Sequence, residues 1–188
     1  MRGQFFSLDV FIAAIVLISG SVVLLYSIVG TTSLQESQLF TADILRETVT
    51  ASVRDLNYRV LTSPIDGYAN ASDPYDIRNF DMTLGELIGE YHFLANKSLA
   101  AGDMVAHGAY IERRNEITRR TIAQLISAQY SYTIGIGEDI TDMTPLAGRV
   151  RIQRSDAQFV VASRSIVAGI DRDREFFGPY TIEVIVWN

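Results

Sequence analysis

Between Val10 and Gly30 the chain carries no charged residue. A helix over those roughly 21 residues would be about 31 Å long, close to the ~30 Å hydrocarbon core of a bilayer. This run constrains everything after it, because residues 31–188 are then a domain presented on an apolar anchor. The flanks set the orientation. Arg2 and the initial amine precede the run, and the next basic residue is Arg46. The positive-inside rule places the N-terminus in the cytoplasm and residues 31–188 outside, as a single-pass membrane protein.

The segment differs from an ordinary secretory signal, which has a shorter apolar stretch followed by a small-residue cleavage site. Residues Thr31-Thr32-Ser33-Leu34-Gln35 offer no such site, and the small residue available for cleavage, Gly3, lies before the run. Arg2-Gly3-Gln4, then Phe5-Phe6-Ser7-Leu8-Asp9 and an apolar helix, resembles the class III signal peptide of archaeal type IV pilin-like proteins. The resemblance covers roughly residues 1–30, and more loosely the layout beyond. It implies a leader of residues 1–3, with Gly3 before the cut and Gln4 as the new N-terminus. Asp9 takes the place of the family's early acid, one position later than usual. The implied partners are a prepilin peptidase, pilus assembly machinery, the membrane, and other copies of the chain or related pilins. The implied function is a major or minor structural subunit of a surface filament built by bundling apolar helices. The alternatives are a plain signal anchor and a membrane-anchored extracellular binding or accessory module that does not polymerise. Ala13, Ala14 and Gly20 are small enough to let such helices approach closely.

About 125–155 residues remain after the anchor, enough for one modest core. The chain has no cysteine, which excludes disulfides, zinc–thiolate sites and thiol chemistry. Its net charge of −6 argues against a nucleic-acid partner. Lys97 is the single lysine among 16 basic residues. Asn70-Ala71-Ser72 and Asn96-Lys97-Ser98 make Asn70 and Asn96 candidate N-glycosylation acceptors on an exported domain.

Ala42, Leu45, Val49, Val53, Leu56 and Val60 recur every three or four residues, so the N-terminal helix is expected to continue to about residue 61 with an amphipathic second half. Residues 4–62 form this long helix, with residues 10–30 in the membrane, and residues 63–188 form the exported domain. Residues 63–82, rich in Pro, Gly, Asp and Asn, read as a linker. Thr83 and Glu86 make a capping box for a helix carrying Leu84, Leu87, Ile88, Tyr91 and Leu94 to about Leu99. Gly102 and Gly108 bracket a break, and a second helix over about 110–129 carries Ile117, Ile122, Leu125 and Ile126. Its charged run, Glu112 to Arg120, reads as a solvated face.

The pattern then turns to period two. Tyr130 to Ile136, Arg149 to Gln153, Gln158 to Val167 and Ile182 to Val186 predict four strands, with Pro179 just before the last. The expected fold is α+β and type IV pilin-like: a long N-terminal helix, two shorter helices and a C-terminal antiparallel sheet of about four strands. One sheet face should pack on the amphipathic half of the first helix.

No catalytic residue, cofactor or metal is assigned, and the chain is not read as an enzyme. Gly135-Ile136-Gly137 lacks the third glycine of a dinucleotide loop and reads as a strand end. His92 and His107 have no metal-ligand spacing. The acidic runs Glu138-Asp139-Asp142 and Asp171-Asp173-Glu175 do not match a calcium loop and read as solvated turns.

Overall fold

The computed structural model describes residues 49–56 and 73–188, all within one compact unit spanning 42–188. A short helical turn, α1 (Val53–Asp55), precedes two helices, α2 (Leu84–Ala100) and α3 (Met104–Leu125). Four strands follow: β1 (Ser131–Gly137), β2 (Thr144–Arg149), β3 (Val160–Ile170) and β4 (Phe176–Trp187). The fold is α+β with one antiparallel sheet in the order β2-β1-β4-β3. Among the described residues no helix is long and apolar enough to cross a membrane.

Helix α2 starts where its sequence says. The Thr83 hydroxyl accepts from the Glu86 N–H at 3.1 Å, and the Glu86 carboxylate accepts from the Thr83 N–H at 2.7 Å. Leu84, Leu87, Ile88, Tyr91, Leu94 and Ala95 all face the core. Helix α3 begins earlier than the sequence reading placed it. Asp103 caps it, its side chain accepting from the Ala106 N–H, and the break sits at Gly102 alone, with φ +76°. Gly108 lies inside α3, because Asp103 offers the stronger start signal three residues before the first buried position, Ala106.

Strands β1 and β3 lie close to the period-two segments, whereas β4 starts six residues before Ile182, at Phe176, so Pro179 lies inside the strand and not ahead of it. Tyr132, Ile134 and Ile136 sit opposite Val186, Val184 and Ile182 and share the buried face. The second strand does not match. It spans Thr144–Arg149, whereas Val150 and Ile152 lie in the connection to β3 and are exposed. Leu146 fills the core from a bulge: Ile134 pairs with Ala147 and Gly135 with Pro145, leaving Leu146 unopposed. Period two alone could not separate this bulged strand from its alternating neighbour.

The β2–β3 connection crosses one end of the sheet, from one edge to the other. The buried Ser131 hydroxyl accepts from the backbone N–H groups of Arg151 and Ile152, at 2.9 and 3.2 Å. The Trp187 indole N–H donates to the Ile152 carbonyl at 2.7 Å.

Helices α2 and α3 pack together, α2 against β3 and β4, α3 against β2. Gly85 and Gly89 make the first contact possible. A Cβ on Gly85 would lie 2.7 Å from Val167 Cγ1 and 2.8 Å from Val49 Cγ1, and one on Gly89 would lie 2.9 Å from the Phe177 ring.

Val49, Val53 and Leu56 join this core, as their spacing predicts. The helical period is nevertheless interrupted. Ser52 is extended (φ −64°, ψ 146°), and its side chain accepts from the Asp55 N–H. The Val53 and Arg54 N–H groups donate to the carbonyls of Met82 and Phe80, and Leu84 N–H donates to the Ala51 carbonyl. The expected unbroken helix is therefore broken at Ser52, where the backbone exchanges intrahelical bonds for bonds to residues 80–84.

Candidate functional site

Gly3, Gln4, Asp9, Ala13, Ala14, Gly20 and Asn70 lie outside the described residues. Asn96 is exposed in the last turns of α2, and its side chain is 3.3 Å from His92 Nε2.

Two polar clusters stand out within the domain. The first lies between α2 and α3 and corrects the reading of α3's charged run. Arg114, expected in solvent, is only 2% exposed. Its Nη1 donates to His92 Nδ1 at 2.7 Å, and its Nε donates to Asn115 Oδ1 at 3.1 Å. No carboxylate among the described residues pairs with it. Burial draws its pKa down to about 10, so it remains a cation near neutrality. A guanidinium only donates, so His92 Nδ1 must accept and the imidazole proton sits on Nε2. Asn96 Nδ2 is the amide atom 3.3 Å from Nε2, so only the flipped amide, with its oxygen there, would accept from that N–H. Burial, and then the Arg114 charge, lower the His92 pKa to about 4. The imidazole is neutral near pH 7 and stacks edge-on against Tyr180, with ring centres 4.9 Å apart. His107 Nδ1 lies 2.8 Å from the Ala95 carbonyl and tethers α3 to α2. Both histidines make side-chain contacts between α2 and α3.

The second cluster fixes the β3–β4 turn onto α2. Asp171 accepts from the N–H groups of Asp173 and Glu175, at 2.9 and 2.7 Å, and so shapes the turn. Lys97 is 2.8 Å from Glu175, 3.4 Å from Asp173 and 3.9 Å from Asp171. The hydrogen bond to Glu175 is the largest influence raising the Lys97 pKa. The acidic run read as a solvated turn thus surrounds the chain's single lysine. Beside it, Arg172 N–H donates to Glu90 at 3.1 Å, and the guanidinium lies over the Tyr110 ring at 5.7 Å. Burial raises the Glu90 pKa, against the opposing pull of Arg172. Arg113 bridges Asp73 and Asp76 at 3.0 and 2.9 Å, tying the segment before α2 to α3.

A groove of about 600 Å³ runs beside α3, past Tyr75, Glu112, Arg113, Asn115, Glu116 and Arg119. Its arginines are engaged: Arg113 as above, and Arg119 with Glu116 at 2.6 Å. Among the described residues no three His, Cys, Asp or Glu side chains are placed to hold a metal ion. The two clusters bind secondary-structure elements to one another, and no nucleophile is set against a base in either. Sequence reasoning missed both. The one available signal was the lone Lys97 within reach of an Asp-x-Asp-x-Glu turn.

Compared with known proteins, the chain matches no family model, no curated protein and no solved structure.

Proposed function

We propose that this chain is a subunit of an archaeal type IV pilus-like surface filament, with residues 1–3 removed and the domain displayed outside the cell. The observation that carries the reading is Arg2-Gly3-Gln4 ahead of the uncharged run Val10–Gly30. The order of parts supports it. Val49, Val53 and Leu56, which follow that run in the sequence, belong to the core of an α+β domain with a four-stranded sheet. Apolar helices released from lipid would bury the same surface against copies of themselves. Ala13, Ala14 and Gly20 would allow the close approach, and Asp9 would meet the amine of Gln4 on a neighbour.

The test is the mass of the mature protein isolated from membranes or sheared filaments. The expected N-terminus is Gln4, and Gly3→Val should abolish the cut. Mature protein that starts at Met1, or after Gly30, would overturn the reading.

A further inference from the structure

Strand β3 is an edge strand whose solvent side is almost entirely apolar. In register with β4, its even-numbered residues face away from the helices. These are Val160, Ala162, Arg164, Ile166, Ala168 and Ile170, of which only Arg164 is charged. Ile166 is 75% exposed, Ile170 66% and Val160 41%, and Phe176, opposite Ile170, is 66% exposed. The helix side of the same strand carries Val161 and Val167, both buried, with Ser163 and Ser165 between them. A half-buried edge strand normally turns polar or charged residues outward.

The other edge is protected. Strand β2 is six residues long and holds Pro145, two devices that hinder pairing, while each edge strand carries one register irregularity against its inner neighbour. Strand β3 runs eleven residues with no proline and no lysine. A copy of β2 is thus a poor partner for it, which disfavours head-to-tail stacking of sheets. Charge gives no foothold to a charged peptide either. Arg164 is engaged by Glu183 of its own chain at 2.7 Å.

We infer that β3 pairs with β3 of a second copy of this chain, antiparallel about a two-fold axis at Ile166, to form one eight-stranded sheet. The two-fold pairing matches the exposed residues to one another. Ile166 meets its own counterpart. Ala162 meets Ile170 of the second copy, and Arg164 meets Ala168. The two arginines lie four residues apart along the strands, so each keeps its own Glu183 without facing a like charge. Nine residues from each chain, 162–170, enter the ladder, a contact about 30 Å long. The inference stands apart from the filament reading, since an anchored module that never polymerises could dimerise in the same way.

The test uses the full chain in detergent micelles, and the absence of native cysteine makes it clean. Ile166→Cys is compared with Thr144→Cys on the exposed β2 edge, each treated with a short thiol cross-linker. Ile166→Cys should give at least about ten times more covalent dimer, the ratio that ~1.4 kcal/mol of preference for one contact would produce. Ile166→Lys, which places two like charges on the axis, should cut the covalent dimer of Ala162→Cys/Ile170→Cys, whose two positions face each other across the ladder, by a similar factor. Because the side chain is exposed, its Trp187 fluorescence melt should match the parent. Equal cross-linking at the two positions overturns the inference, as does a covalent dimer of Ala162→Cys/Ile170→Cys that Ile166→Lys leaves unchanged. Cross-linking of Ile166→Cys to a different polypeptide instead of itself also overturns it. The mature N-terminus has no bearing on any of these readouts, so the two readings fail independently.

Discussion

His92 shows how one buried side chain makes the domain sensitive to pH. It accepts from the Arg114 guanidinium and lies against Tyr180, and Asp142 favours its protonation. Its pKa falls from the ordinary 6.5 to about 4 in the fold, through burial first and Arg114 second. Above the unfolded value both states are neutral and the fold keeps its full stability. As pH drops through that window the unfolded chain takes up a proton that the folded chain refuses. Stability should therefore decline from about pH 6.5 to about pH 4, by roughly 2 kcal/mol after allowing for partial solvent screening. Buried Glu90 works with the opposite sign, because its raised pKa favours the fold as pH falls. His92→Gln isolates the imidazole, since its amide oxygen can still accept from Arg114. Melting followed by Trp187 fluorescence at about pH 7 and about pH 4.5 should show a smaller drop in the variant than in the parent. An identical drop would assign the acid sensitivity to the carboxylates.

At the scale of elements, α2 is where sequence logic and packing meet most tightly. Its cap and apolar face were legible because Thr83-x-x-Glu86 and the leucine spacing are local signals. Its contact surface was not, because nothing in the sequence tells which strand will lie against Gly85 and Gly89. A Gly85→Ala variant tests that contact. Alanine would favour the helix by about 1 kcal/mol. Its Cβ would also lie 2.7 Å from Val167 and 2.8 Å from Val49, and overpacking of that kind costs about 1–3 kcal/mol. The expected outcome is a net loss of stability in thermal unfolding, with part of it recovered by adding Val49→Ala. A gain in stability would mean that β3 and Val49 yield freely. The same limit explains the other discrepancies. Arg114 reads as solvated from its charged neighbours, and the approach of α2 brings His92 against its buried guanidinium. Val150 and Ile152 alternate as a strand would, and only the bulge at Leu146 shows that pairing has already ended by Arg149.

For the whole molecule, the decisive question is how far the domain depends on residues before the linker. The helical spacing of Val49, Val53 and Leu56 predicted a buried stripe, and they are 4%, 0% and 3% exposed. Burying three aliphatic side chains of this size contributes roughly 5–9 kcal/mol, comparable with the entire ~5–15 kcal/mol stability of a typical domain. Backbone bonds add to this, since Val53 and Arg54 donate to Met82 and Phe80, and a Ser52–Thr83 bridge lies beside them. A truncated chain of residues 42–188 should therefore melt in one cooperative transition, with mixed helix and strand by circular dichroism. A chain of residues 63–188 should lose that transition, because Leu84, Leu87 and Ile88 would face water where the missing segment belongs. Equal melting temperatures for the two would show that residues 42–62 only lean on a finished domain. The break at Ser52 argues for the first outcome. A segment that gives up its own helical bonds to pair with residues 80–84 is built into the domain it precedes.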